Sequence, residues 1–227
     1  MEVLFDDESI KTLGLSLTER PEIPTAEQEV EYIEVEGRNG SLVHKKHYKD
    51  VTQPFTFSFL DKNNVRQKVR EIRAWLSDKE KLSFSDDPGI SRIIKHITLE
   101  STINDIISYG RLSMDITFDP FEYIDTNPIT MTEAGNLINP GTYFANPKIT
   151  VYGTGNLSIT VNGQRTILNS VDGHITLDCE LQEAHKNGSS LNNRMVGKFP
   201  RLEVGTNTIS WTGTVNRVVI EPRWRYK

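Results

Sequence analysis

Apolar and polar positions alternate through most of this chain, and the period is mainly two. Phe55, Phe57 and Phe59 alternate with Thr56 and Ser58, and Leu112, Met114, Ile116 and Phe118 alternate in the same way. Each run predicts a strand with one buried face. Weaker runs predict strands near Val30–Val35, Leu42–Tyr48, Leu82–Phe84 and Ile90–Thr102. Leu42–Tyr48 reads as the start of a long hairpin running to Leu60. Asp119-Pro120-Phe121 is predicted to end the strand before it, because proline donates nothing to a central ladder. One segment breaks the pattern. Val65, Val69, Ile72 and Leu76 fall at i, i+4, i+7 and i+11, which makes a single apolar stripe and predicts a helix over about 63–77. Asp61, Asn63 and Asn64 are candidate N-caps.

The second half is punctuated more evenly. Asn139-Pro140-Gly141, Gly153-Thr154-Gly155-Asn156, Asn162-Gly163, Val171-Asp172-Gly173 and Gly205-Thr206-Asn207 separate short alternating runs. Short strands at such spacing predict a β-sandwich. Asn162-Gly163 is the strongest hairpin signal, since a type I′ turn needs positive φ at both central residues. The polar stretch 182–194 is predicted to be a surface loop. A looser stretch begins at Asn127-Pro128, which suggests two domains, 1–128 and 129–227. The fold class is therefore mainly β, with one helix in an N-terminal sandwich.

Charge divides along the same line. Residues 1–128 hold 16 Lys+Arg against 24 Asp+Glu, and residues 129–227 hold 10 against 7. An acidic half argues against a grip on nucleic acid, which needs clustered cations. Arg66, Lys68, Arg70 and Arg73 make the helix basic but bring no interleaved aromatics, so they read as a solvated face. Cys179 is the single cysteine. It continues the alternation of Ile175 and Leu177, which places its thiol in the core. The N-terminus has no basic leader and no run approaches the ~20 apolar residues of a membrane span, so the expectation is a soluble protein made in the cytoplasm.

Candidate chemistry is sparse. His44 and His47 lie three apart on a strand with no third ligand nearby. Asp61-Lys62-Asn63 opens like a calcium loop, but Arg66 and Ile72 stand where that loop needs glycine and glutamate. No nucleophile elbow, phosphate-binding loop or dinucleotide fingerprint occurs. Asp86-Asp87 sits in a turn with Pro88-Gly89, where Asx-type backbone bonds account for it. The expectation is a non-enzyme without cofactor or metal. Trp75, Trp211 and Trp224 are the tryptophans. Trp75 suits the seat of the helix, and Trp211 and Trp224 are candidates for a sugar-stacking platform or for the sandwich core.

A further set of short motifs runs in order through both halves: Val3-Leu4-Phe5-Asp6, Gly37-Arg38-Asn39-Gly40, Ile72-Arg73-Ala74-Trp75-Leu76, Leu82-Ser83-Phe84-Ser85-Asp86-Asp87, Ile116-Thr117-Phe118-Asp119-Pro120-Phe121, Phe199-Pro200-Arg201-Leu202 and Ile220-Glu221-Pro222-Arg223-Trp224. In these the chain resembles the distal tail proteins of siphophages, with a departure around Ile90–Tyr109. The resemblance implies a ring-forming N-terminal domain with a long hairpin, and a C-terminal galectin-like jelly roll. It also implies a homo-hexameric hub in the virion, at the tip of a long non-contractile tail. Such a hub joins the tail tube protein to the tail-associated lysin or fibre protein and to receptor-binding or baseplate proteins. DNA would cross its lumen without specific binding. A ring closes through heterologous contacts, which unpaired strand edges can supply. The candidate arm is 42–60, with Tyr48, Phe55 and Phe57 as candidate interface side chains. The competing readings are a carbohydrate-binding module using Trp211 or Trp224 and, last, a cell-wall hydrolase.

Overall fold

The computed structural model describes residues 1–60, 65–100, 103–106 and 109–227. The chain forms two compact units, Met1–Glu122 with Lys227, and Tyr123–Tyr226. The division falls shortly before the 128/129 boundary expected from the sequence.

The N-terminal unit is built on an antiparallel sheet. Its strand order is Glu8–Ser9, Val3–Phe5, Lys81–Phe84, Ile90–Leu99, Tyr109–Ile124, Val51–Leu60 and Leu15–Leu17. The central ladder joins Val51–Leu60 to Tyr109–Ile124 and runs from Leu60 opposite Tyr109 to Val51 opposite Phe118. Alternation therefore places Phe55, Phe57, Phe59, Leu112, Met114, Ile116 and Phe118 on one face, and all are buried. The helix Val65–Leu76 lays its stripe of Val65, Val69, Ile72 and Leu76 into the same core. The cap candidates Asp61, Asn63 and Asn64 lie outside the described residues. Trp75 is half-buried and meets Phe5 edge-on at 5.6 Å. One glycine is required by packing: a Cβ on Gly110 would stand 2.3 Å from the Phe59 ring.

One strand end differs from expectation. The strand continues through Pro120 to Ile124. Its ladder with Val51–Leu60 has already ended at Phe118, so the missing proline N–H removes nothing from that ladder.

In the C-terminal unit two long strands, Lys148–Val161 and Gly205–Glu221, pair with each other at the centre of one nine-stranded sheet. Between Tyr152 and Ser158 their register shifts twice. Before the shifts Lys148–Val161 also pairs with His174–Asp178, and after them with Gln164–Val171. Gly153 sits at this corner, where a Cβ would lie 2.3 Å from the Thr214 carbonyl oxygen. The core of this unit holds Ile149, Val151, Leu157, Ile159, Leu177, Ile209, Val218, Ile220 and Trp224.

The asparagines that punctuate this half do more than turn. Asn207 is fully buried and donates from Nδ2 to the Glu203 and Gly205 carbonyls, at 2.8 and 3.0 Å. Its Oδ1 accepts from the Glu203 N–H and from Asn162 Nδ2, both at 2.7 Å. The Asn162-Gly163 turn has φ of 50° and 80°, as its sequence predicts, and is thereby tied to the Gly205–Asn207 turn.

The stretch 182–194 is not a plain loop. Glu183–Lys186 and Ser189–Ser190 form a small hairpin, followed by a 3₁₀ turn at Asn192–Arg194. Asn187-Gly188 has φ of 48° and 79°, the same turn chemistry as Asn162-Gly163. Its flanks are polar, which hid the strands from an apolar pattern.

Candidate assembly surface

Gln28–Ile33 pairs antiparallel with Leu42–Tyr48, and this two-stranded sheet joins no other strand among the described residues. Tyr32 faces Val43 and Ile33 faces Leu42 across the pair. Successive side chains point to opposite faces. Tyr32 and Val43 therefore occupy one face, and Ile33 and Leu42 the other. Both faces are open: Tyr32 is 69% exposed, Val43 55%, Ile33 44% and Leu42 41%. An isolated two-stranded sheet is marginal in water, and large apolar side chains on both of its faces point to a missing partner.

Salt bridges hold the hairpin in register. Lys46 Nζ lies 3.1 Å from Glu31 and 3.3 Å from Glu29, and Lys49 lies 3.3 Å from Glu27. Hydrogen bonds first to Glu31 and then to Glu29 raise the Lys46 ammonium above its usual value. Exposed pairs of this kind are screened by water and contribute little, so they set the geometry without covering the apolar end.

The base of the hairpin is anchored. Tyr48 meets Phe121 edge-on at 5.7 Å. Lys95 Nζ binds Asp50 at 2.5 Å and lies 3.6 Å from Asp119. Burial pulls the Lys95 ammonium down, but Asp50 and Asp119 together leave it above its ordinary value. Beside these, Arg92 is buried and donates to Gln53 Oε1 at 2.9 Å and to Glu122 Oε1 at 3.0 Å. Asp50 and Tyr48 are thus gripped from the main sheet, while Ile33–Leu42 projects beyond it.

This geometry corrects the candidate arm. Leu42–Tyr48 pairs with the strand before it, not with Val51–Leu60, so the arm spans Gln28–Tyr48. Phe55 and Phe57 are 2% and 0% exposed. They sit under the helix in the core and present nothing to a neighbour. Tyr48 is half-buried at the hairpin's base. The side chains that are offered, Tyr32, Ile33, Leu42 and Val43, were not singled out by the sequence. Their signal was available in Val30-Glu31-Tyr32-Ile33-Glu34-Val35, where apolar residues occupy both parities of a strand.

The sugar platform is corrected in the same way. Trp224 is 3% exposed and belongs to the sandwich core, and Trp211 is half-buried against that core. On the outer face of the sheet Arg217 stacks 3.9 Å above the Tyr152 ring. Cys179 is buried, and burial, with Asp178 beside it, pushes its thiol up to about 12. Asp178 takes a bidentate grip from Arg223 at 2.8 and 2.9 Å, which holds its carboxyl below the usual range. Among the described residues no three His, Cys, Asp or Glu side chains stand close enough to hold a metal ion. No described helix is long and apolar enough to cross a membrane.

Residues 8–119 match the family described as the phage tail protein RIFT-related domain, and these residues span almost the whole N-terminal unit. In these residues the N-terminal unit is similar to that phage tail family. Over the full chain the fold is similar to the crystal structure of SPP1 Dit (gp 19.1), described as a paradigm of the hub adsorption apparatus in phages infecting Gram-positive bacteria. The match has a TM-score of 0.70 and 13% identity, and covers 97% of this chain and 98% of that one. A chain of the phage P2 baseplate, in its activated conformation with calcium, matches with a TM-score of 0.51 and 8% identity, over 94% and 91% of the two chains. No curated protein matches the sequence. At these identities the likeness concerns the fold, which is mainly β with a single α-helix among the described residues.

Proposed function

We propose that this protein is a structural hub of the virion. Six copies form a ring at the distal end of a long non-contractile tail and join the tail tube to the tail-tip and host-adsorption proteins. The observation that carries this reading is the hairpin Gln28–Tyr48, which is anchored at its base and apolar on both faces at its end. Such an element is stable when a neighbour covers it. A hairpin on one copy and a different surface on the next make a heterologous contact, which closes into a ring when the rotation allows. The match to the tail family at residues 8–119 and the whole-chain likeness to SPP1 Dit support it. The acidic excess of residues 1–128 suits a lumen that passes DNA without holding it.

Sugar binding through a tryptophan platform is less well supported, since Trp224 is buried in the sandwich core and leaves Trp211 alone, half-buried against that core. The test is molar mass by light scattering across a concentration series, together with negative-stain images. Six-fold annuli support the hub. A persistent monomer at high concentration, with or without glycan binding, refutes it.

A further inference from the structure

The second surface of that contact can be sought in the same unit. Between the end of the helix and the strand Ile90–Leu99 lies a groove of about 270 Å³, lined among others by Arg73, Leu76, Lys79, Ile94, His96 and Ile97. Its floor is aliphatic, and among the described residues no acidic side chain lines it. The exposed side of the helix continues the same charge. Arg66, Arg70 and Arg73 repeat at i, i+4 and i+7, and the helix holds four basic residues against Glu71 alone. Lys79 is committed to Glu8 at 2.8 Å and Lys95 to Asp50. Arg66 and Arg73 have no acidic partner among the described residues. Like charges at this spacing repel by a few tenths of a kcal/mol, so the stripe is stabilised by an acidic partner.

The hairpin supplies the opposite character. Residues 18–41 carry seven acidic and two basic side chains. Glu27, Glu29 and Glu31 are occupied by Lys49 and Lys46, whereas Glu34 and Glu36 have no cationic partner among the described residues. They flank exposed Ile33 and Val35. We propose that the tip Ile33–Glu36 of one copy docks in the groove between the helix and Ile90–Leu99 of a second copy. Ile33 and Val35 cover the aliphatic floor, and Glu34 and Glu36 meet Arg73 and Arg70. The strands reach roughly 17 Å beyond their base at ~3.3 Å per residue, enough to cross to a neighbour. The contact is heterologous, so it repeats around a closed ring. It rests on the hub reading and adds the partner surface.

The test uses the full chain. R73E and E36R are each expected to raise the concentration for half-assembly about tenfold or more, and R73E with E36R to restore it. Both positions are exposed, so monomer folding, checked by circular dichroism, is unchanged. Separately, E36C with S77C is expected to give disulfide-linked oligomers up to six under mild oxidation, while Cys179 is buried and does not interfere. Rings in which the two thiols never link, or in which the E36C thiol stays open to maleimide, overturn this contact while the hub reading stands. Absence of rings in the unmodified protein overturns both.

Discussion

Replacing Phe57 by alanine separates a core residue from an interface residue. Phe57 is fully buried, lies in the same core as Phe55, Phe59 and the helix stripe, and stacks on Phe55 with ring centroids 6.3 Å apart. Deleting the ring removes its transfer free energy and leaves a cavity that a sheet-and-helix sandwich closes only in part. The expected cost is about 3–5 kcal/mol. Against a total stability on the order of 5–15 kcal/mol, that is roughly a fifth or more of what holds the unit together, and at a few degrees per kcal/mol for a unit of this size it lowers Tm by roughly 10–20 °C. The assay is urea unfolding of the monomer. Trp75 reports the N-terminal unit and Trp211 with Trp224 the C-terminal one, so only the first transition moves. Tyr32→Ser is the companion variant. Its side chain is mostly in water, so monomer stability is expected to change by no more than about 0.5 kcal/mol, while assembly weakens. A Phe57→Ala cost below about 1 kcal/mol, or a Tyr32→Ser cost as large as that of Phe57→Ala, refutes the assignment of core and arm.

Asp178→Asn leaves Arg223 half-buried with a weaker partner and is expected to destabilise the C-terminal unit by about 1–3 kcal/mol, read by calorimetry. The Asp178 carboxyl is held below its ordinary value in the folded state. Its contribution is therefore complete above the ordinary carboxylate pKa and is lost as pH falls through the depressed one, so the wild-type and variant stability curves converge on acidification. Asn207→Ala strands the Glu203 and Asn162 donors and the Gly205 carbonyl, and a loss of at least about 2 kcal/mol is expected in urea unfolding. Gly153→Ala forces a Cβ against the Thr214 carbonyl and is expected to cost about 1–3 kcal/mol, again confined to the C-terminal transition. Cys179, with its thiol pushed up to about 12, is expected to resist iodoacetamide at pH 8 in the folded protein and to react in urea; rapid labelling of the native chain contradicts its burial.

Local periodicity by itself determined much of this protein. A period of two at Phe55–Phe59 and Leu112–Phe118, and a stripe at Val65–Leu76, specify which faces are wetted, because each residue's direction follows from backbone geometry alone. Asn162-Gly163 announced its hairpin because positive φ is a local demand. Turn residues around apolar runs were legible, but the Asn187-Gly188 hairpin was not, since its strands are polar and carry no apolar alternation. The tertiary structure decided what periodicity cannot. Alternation said that Phe55 and Phe57 share a face, and only packing showed that the helix covers it. It gave Leu42–Tyr48 a strand, and only pairing showed that the partner is Gln28–Ile33. Pro120 forbids a ladder bond only where a ladder exists, and the ladder with Val51–Leu60 has already ended at Phe118. Burial and pairing depend on residues far apart in the chain. The core, the anchored base and the apolar arm of this protein were therefore settled together, by which surfaces met and which were left without cover.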